Sequence, residues 1–229
     1  MANIILKDKN GVNKVYTGVE KIVVPTSDGG TAEFTQGGGG SSGSDSELFE
    51  ALIAKELEGS HTLSVSNLGP YTFYGCGSLE EINAPNCTDI GSECFADCYS
   101  LINVNAPLTT SIGVYVFNNC ESLTELYFPE VNYIDSDAFV NCYGLTIVTL
   151  GKVYNLPPVF PFCYFLTDIY LGYEGLVTLE SDLGYQCSAG SGSCRVHVRS
   201  EYASQYTDAT NWSDLIDSGL VEIIGDYEE

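Results

Sequence analysis

Basic residues are scarce in this 229-residue chain, which has 8 Lys and Arg against 31 Asp and Glu and a net charge of −23. They thin out along its length: residues 1–67 carry 5 basic and 9 acidic side chains, residues 68–229 carry 3 and 22, so the second stretch stands at 3 − 22 = −19. Binding to a phosphate backbone or an anionic lipid surface depends on Lys and Arg neutralising charge and releasing counterions. An acidic surface excludes both, so neither nucleic acid nor membrane is an expected partner. Also missing is any run approaching the ~18 consecutive apolar residues of a membrane-spanning helix. The start, MANIILKDKNG, lacks the basic segment and apolar core of a secretory leader. The expectation is a soluble chain outside the usual secretory route.

Histidine is limited to His61 and His197. With two near-neutral bases, neither beside a nucleophile motif, and no GxSxG, HExxH or P-loop pattern, no catalytic constellation converges. The chain is expected not to be an enzyme, and to need no cofactor. Both histidines read as packing in a first and a last strand.

What the chain has instead is a period. Phenylalanine recurs at Phe73, Phe95, Phe117, Phe139 and Phe160, at intervals of 22, 22, 22 and 21. Three residues after each stands a cysteine (Cys76, Cys98, Cys120, Cys142, Cys163), and three further on a leucine (Leu79, Leu101, Leu123, Leu145, Leu166). The next column is Ile82, Val104, Leu126, Val148 and Ile169, followed by Pro85, Pro107 and Pro129 and then by Gly151 and Gly172. Self-similarity at such a period means a solenoid. Each LxxIx segment reads as a short strand with alternate side chains inward, and the chain then returns with Phe and Cys buried. One coil cannot bury its own apolar stripe, so neighbours must stack at the strand spacing of about 4.8 Å and share a core.

The pattern IGxxxFxxCxSLxxIxxP resembles the bacterial leucine-rich repeats of BspA type, also called Treponema-type, over residues 61–229. The resemblance implies a right-handed leucine-rich repeat solenoid, α/β or mainly β, of five 22-residue coils with a short N-terminal capping helix and a C-terminal cap. CRVHVRSEYASQYTDATNWSDLIDSGLVEI looks like that family's cap: a last strand, a helix carrying Tyr, then an NW(S/T) turn. Residues 172–193 lack the Phe and Cys columns, so regular coils are expected to end near Leu171.

Leu48, Phe49, Leu52, Ile53 and Leu57 share one helical face, with Ser44 and Glu47 spaced as a capping box. Upstream, QGGGGSSGSDS has the composition of a flexible linker. Residues 1–35 read as two or three strands, NIILKD, KVYTGVEKIVVP and GTAEFT, a module too small to hold its own core. The expected division is 1–35 attachment module, 36–46 linker, 47–67 capping helix and first strand TLSVSN, 68–171 repeats, and 172–229 irregular coil and cap.

Zinc sites need clustered ligands, whereas these cysteines come one per coil. Buried reduced thiols and bonds between adjacent coils both account for the column. Cys187 and Cys194, flanking SAGSGS outside it, are better placed for a disulfide. Asp135-Ser136-Asp137 lacks the DxDxDG calcium loop, and no metal is expected. Tyr71, Tyr74, Tyr99, Tyr115, Tyr143 and Tyr164 read as rim packing with wet hydroxyls, although tyrosine is also what recognition surfaces use.

Between the inward columns, stacking lines up two rows expected to face solvent: Glu81, Asn103, Glu125, Ile147 and Asp168 in one, Asn83, Asn105, Tyr127, Thr149 and Tyr170 in the other. The core needs none of them. Glu125, Tyr127, Ile147, Asp168 and Tyr170 form an aromatic and apolar cluster rimmed by acids, the make-up of a partner-binding patch. The plain alternative is an idle, solvated sheet.

The start MANIxxKDxxGxxxxYxGVxKxxxPTxDGGTAxF is similar to N-terminal segments of phage and prophage structural proteins of gut Firmicutes. That similarity implies a virion component (tail fibre, baseplate or head appendage) that docks on other virion proteins through residues 1–35 and displays the solenoid to a host surface protein or polysaccharide. The alternative is a bacterial cell-surface adhesin. A homo-oligomer is expected by analogy with fibres, without coiled-coil heptads to support it.

Overall fold

The computed structural model describes residues 59–63, 65–181 and 193–227, together with the backbone of strands at 3–7, 13–17, 21–25 and 31–35. The expected N-terminal helix, the Gly/Ser linker and Cys187 lie outside the described residues. Near the N-terminus are β1 (Asn3–Lys7), β2 (Asn13–Thr17), β3 (Lys21–Pro25) and β4 (Thr31–Thr35). KVYTGVEKIVVP is therefore shared between two strands, β2 and β3. β1–β2 and β3–β4 pair antiparallel. β1 also pairs antiparallel with β5 (Gly59–Leu63), which starts earlier than TLSVSN implies and stands first in the repeat ladder.

The repeats build two ladders of parallel strands, one of short two-residue strands and one of longer strands. The short ladder comprises β6 (Asn67–Leu68), β8 (Asp89–Ile90), β10 (Ser111–Ile112), β12 (Tyr133–Ile134), β14 (Asn155–Leu156) and β16 (Thr178–Leu179). The longer strands are β7 (Leu79–Asn83), β9 (Asn103–Asn105), β11 (Glu125–Phe128), β13 (Ile147–Leu150) and β15 (Asp168–Leu171). All five hold their Ile82, Val104, Leu126, Val148 and Ile169 column buried. β5, β7 and β9 pair parallel in sequence, and β11, β13 and β15 do the same. The fold is a leucine-rich repeat solenoid, mostly β.

Its core is a stack. The rings of Phe73, Phe95, Phe117, Phe139 and Phe160 lie 5.3, 5.4, 5.6 and 5.3 Å apart at 9°, 7°, 18° and 13°, a rise close to the strand spacing of about 4.8 Å. The cysteine column has its own bonding. Sγ of Cys98, Cys120, Cys142 and Cys163 donates to the carbonyl of Phe73, Phe95, Phe117 and Phe139 in the coil behind, at 3.0, 3.1, 3.1 and 3.1 Å. These thiols are buried and free, the first of the two readings of the column. A small donor is what the position requires: valine would fill the space and leave the carbonyl's second lone pair unused.

Each return segment turns at a residue with positive φ: Gly75 (73°), Asp97 (62°), Asn119 (61°), Asn141 (59°) and Phe162 (65°). Gly, Asn and Asp tolerate this left-handed region and phenylalanine does not favour it. The amides also join across coils, Asn119 Nδ2 donating to Asp97 Oδ1 at 2.7 Å and Asn141 Nδ2 to Asn119 Oδ1 at 2.8 Å. The loss of proline after Pro129 has a steric cause. A Cβ on Gly151 would stand 1.7 Å from the Pro129 carbonyl oxygen, and one on Gly172 would stand 2.7 Å from that of Gly151.

The parallel sheet does not end at Leu171. β17 (Cys194–Val198) pairs with β15, and β18 (Val221–Gly225) pairs with β17. Between them lie α1 (Ala203–Tyr206) and α2 (Trp212–Asp217). Residues 172–181 have no Phe or Cys, and the helices fill that space. Trp212, fully buried, donates from Nε1 to Val177 O at 2.7 Å. The Tyr206 hydroxyl accepts from Val177 N–H at 3.1 Å, and Asn211 Nδ2 donates to Leu179 O at 2.8 Å. The Asn-Trp turn is thus a set of donors for the edge of this coil, and Asn211 takes φ 68° to aim them.

Candidate functional site

Parallel register builds the candidate face strand by strand. Glu125, Ile147, Asp168, Arg195 and Glu222 stand in one row, and Tyr127, Thr149, Tyr170, His197 and Ile224 in the next. Tyr127 is 59% exposed. Glu125 beside it is exposed, and Ile147 and Tyr170 are half-buried.

Asp168 corrects the sequence reading. It is 6% exposed, and Thr149 is also buried. The row continues onto β17, which sets two basic side chains against the carboxylate. Arg195 Nη2 donates to Asp168 Oδ2 at 2.7 Å, His197 Nε2 lies 2.8 Å from Oδ1, and Thr167 Oγ1 donates to Oδ2 at 2.8 Å. Burial pushes the Asp168 carboxyl up, but the hydrogen bonds from Arg195, His197 and Thr167 outweigh it and hold the group at about 2. The other imidazole nitrogen, Nδ1, lies 2.7 Å from Asp226 Oδ1. A ring protonated on both nitrogens donates to both carboxylates, a neutral ring to only one.

Tyr170 stacks on this imidazole, with centroids 4.2 Å apart at 13°, and Tyr227 packs on Tyr170 at 5.8 Å. His197 is left 7% exposed, with both nitrogens engaged. A general base must reach a substrate proton. This imidazole reaches two carboxylates of its own chain, so the cluster is a clamp tying β15, β17 and the segment after β18 together.

The face therefore divides in two. Glu125 and Tyr127 stand open on β11, with Ile147 half-buried beside them on β13, whereas Asp168 and Tyr170 are drawn into the clamp with Arg195 and His197. CRVHVR is legible as a strand in the sequence. Its place beside β15 is not, because Arg195 follows Asp168 by more than one regular period of the repeat.

Of the tyrosines beside the Phe and Cys columns, Tyr71, Tyr99, Tyr115 and Tyr143 are exposed, and Tyr74 and Tyr164 half-buried. Tyr71 and Tyr115 take φ of 59° and 54°, so backbone geometry as well as packing sets them on the rim. No group of three or more His, Cys, Asp or Glu side chains among the described residues is arranged to hold a metal ion. Cys194 is buried at the start of β17.

Residues 46–163 match the family model described as the BspA type leucine rich repeat region, in six copies. No curated protein matches the sequence significantly. The structure is similar to that of the pneumococcal vaccine antigen PcpA, with a TM-score of 0.59 and 16% identity over 76% of this chain and 43% of that one. It is also similar to a leucine-rich repeat protein from Bacteroides ovatus, with a TM-score of 0.54 and 24% identity over 72% of this chain and 42% of that one. The chain thus spans less than half of the length of either.

Proposed function

The chain belongs to the family of BspA type leucine rich repeats, and we propose that it is a non-enzymatic binding scaffold displayed on a bacterial cell surface, an adhesin for a host protein or glycan. The observation that carries this reading is Tyr127, 59% exposed on the strand face, in the row next to the paired Glu125 and Ile147, at a position the core does not use. A large ring held on a rigid sheet adds contact area at small entropic cost. The fold shared with a pneumococcal vaccine antigen agrees with surface display. Asp168 and Tyr170, held in the clamp on β15, bound the patch on its C-terminal side.

The test has two arms. Surface labelling and protease shaving of intact producing cells should reach the protein. Tyr127→Ala with Ile147→Ser should weaken binding to host cells or their extracted surface polymers by about tenfold, or about 1.4 kcal/mol, with the melting temperature unchanged. Labelling only after lysis, or unchanged binding, overturns the respective arm.

A second reading rests on the MANIxxKDxxGxxxxYxGV start: a phage or prophage virion component, such as a tail fibre, baseplate or head appendage. Residues 1–35 would attach it to other virion proteins, residues 36–46 would act as linker, and the segments at 47–67, 68–171 and 172–229 would form the displayed unit. It predicts the protein in purified virions, lost from them when residues 1–35 are deleted. Self-association, which either display would favour, is read from the molar mass in light scattering.

A further inference from the structure

Pro157 interrupts the short-strand ladder. In the three coils before it, the residue after each short strand donates its amide to the coil behind: Gly91 to Leu68 O at 2.7 Å, Gly113 to Ile90 O at 2.9 Å and Asp135 to Ile112 O at 2.9 Å. The next residue of that column is Pro157, which has no N–H to offer Ile134. One coil later the bond is made again, from Glu180 to Leu156 O at 3.2 Å. The pairing accordingly runs from β6 to β12 and from β14 to β16, with a break between.

A cleft of about 190 Å³ opens at this break. Tyr133 and Tyr154 line it and are 54% and 58% exposed. Asp135, Glu180, Asn132 and Asn155 bring carboxylates and amides to the same cleft, and no Lys, Arg or His lines it. The polar groups are partly set in place: Asn155 Nδ2 donates to Glu180 Oε1 at 2.6 Å, and Thr178 Oγ1 donates to Asn155 Oδ1 at 2.8 Å.

We propose that this cleft binds a neutral sugar. A sugar ring has apolar C–H faces that suit exposed tyrosine rings and a rim of hydroxyls that donate to carboxylates and pair with amides. A few convergent polar groups beside apolar rings in a concavity are the usual make-up of a small-molecule site. Two acids without a cation repel sialic acids, uronic acids and phosphates, so the ligand is an uncharged glycan. At about 190 Å³ the cleft is small, which suits a terminal sugar unit rather than a long buried chain. The site uses none of the residues of the Tyr127 face, and it stands whether or not that face binds a partner.

The test is saturation-transfer NMR and calorimetry on the full chain with lactose, N-acetyllactosamine and cellobiose as neutral probes and sialyllactose and glucuronate as charged ones. At least one neutral probe should bind and the charged ones should not. Tyr133→Ala with Tyr154→Ala should weaken that binding by about tenfold or more. Glu180→Gln, an exposed and isosteric change, should weaken it several-fold with an unchanged melting temperature, and it decides the matter if the tyrosine variant fails to fold. Tyr127→Ala should leave sugar binding as it is, which separates this site from the strand face. Absence of binding by every neutral probe, equal binding of the charged ones, or wild-type affinity in the cleft variants overturns the proposal.

Discussion

The Sγ of Cys120 lies 3.1 Å from the carbonyl oxygen of Phe95 in the preceding coil and donates to it. The same carbonyl accepts the amide of Cys98 at 3.2 Å, so both of its lone pairs are used. Each coil is thereby bonded to the next inside the core, at a point where water cannot substitute.

Cys120→Ala removes one of those two bonds and leaves a small void. It should cost about 1–2 kcal/mol, read as a lower urea midpoint at unchanged slope. Cys120→Ser keeps a donor and should keep the slope as well, whereas Cys120→Val should cost more than Cys120→Ala by forcing a second branch against the adjacent coils.

Burial pushes the thiols of Cys94, Cys120 and Cys142 well above the ordinary cysteine range, and that of Cys98 is raised first by its hydrogen bond with Cys76 and then by burial. Thiolate is the reactive form. At pH 8 these cysteines should resist iodoacetamide in the folded protein and label at the rate of unfolding, as peptide mapping after a timed pulse would show. Fast labelling of Cys120 in native buffer would contradict the packing.

The Asp168 carboxyl sits at about 2 when folded, below the ordinary carboxylate value of about 3.9. A depressed group contributes stability that is fully present above its unfolded value and is lost as pH falls through its folded value. Here the contribution is about 2 kcal/mol above pH ~4, fading towards pH ~2. Asp168→Asn should therefore be less stable than wild type at pH 6, and the gap should narrow between pH 4 and 2 in denaturant titrations. A gap independent of pH would mean that the carboxylate's charge does not matter there.

Two glycines should respond in opposite ways. Gly151→Ala would put a Cβ 1.7 Å from the Pro129 carbonyl oxygen, a backbone atom that can retreat only by moving a coil, and it should lower the melting temperature by many degrees. Gly75 has φ 73° and nothing within 4 Å of a built Cβ. Gly75→Asn adopts what Asn119 and Asn141 already do at the same place in their coils, so it should leave the melting temperature within a few degrees of wild type.

The period in Phe, Cys and Leu determined the solenoid and its buried columns, because every regular coil repeats the same local bonds and the same neighbours. Chain segments one period apart are forced into contact by stacking, so spacing alone predicts who meets whom. That logic failed where spacing changed. Asp168 meets Arg195 and His197 on a strand that comes more than a full period later, and reading the coils as ending at Leu171 left the carboxylate facing solvent. Only the tertiary structure placed β17 beside β15 and buried it. The same holds for Pro157. In the sequence it is one of two prolines in the segment NLPPVF, and only the ladder around it shows which amide is missing. Composition set the sign of the surface, and the column pattern set the fold. Which exposed side chains stand open, and where two coils part, depended on register and on backbone bonds between residues that no local pattern connects.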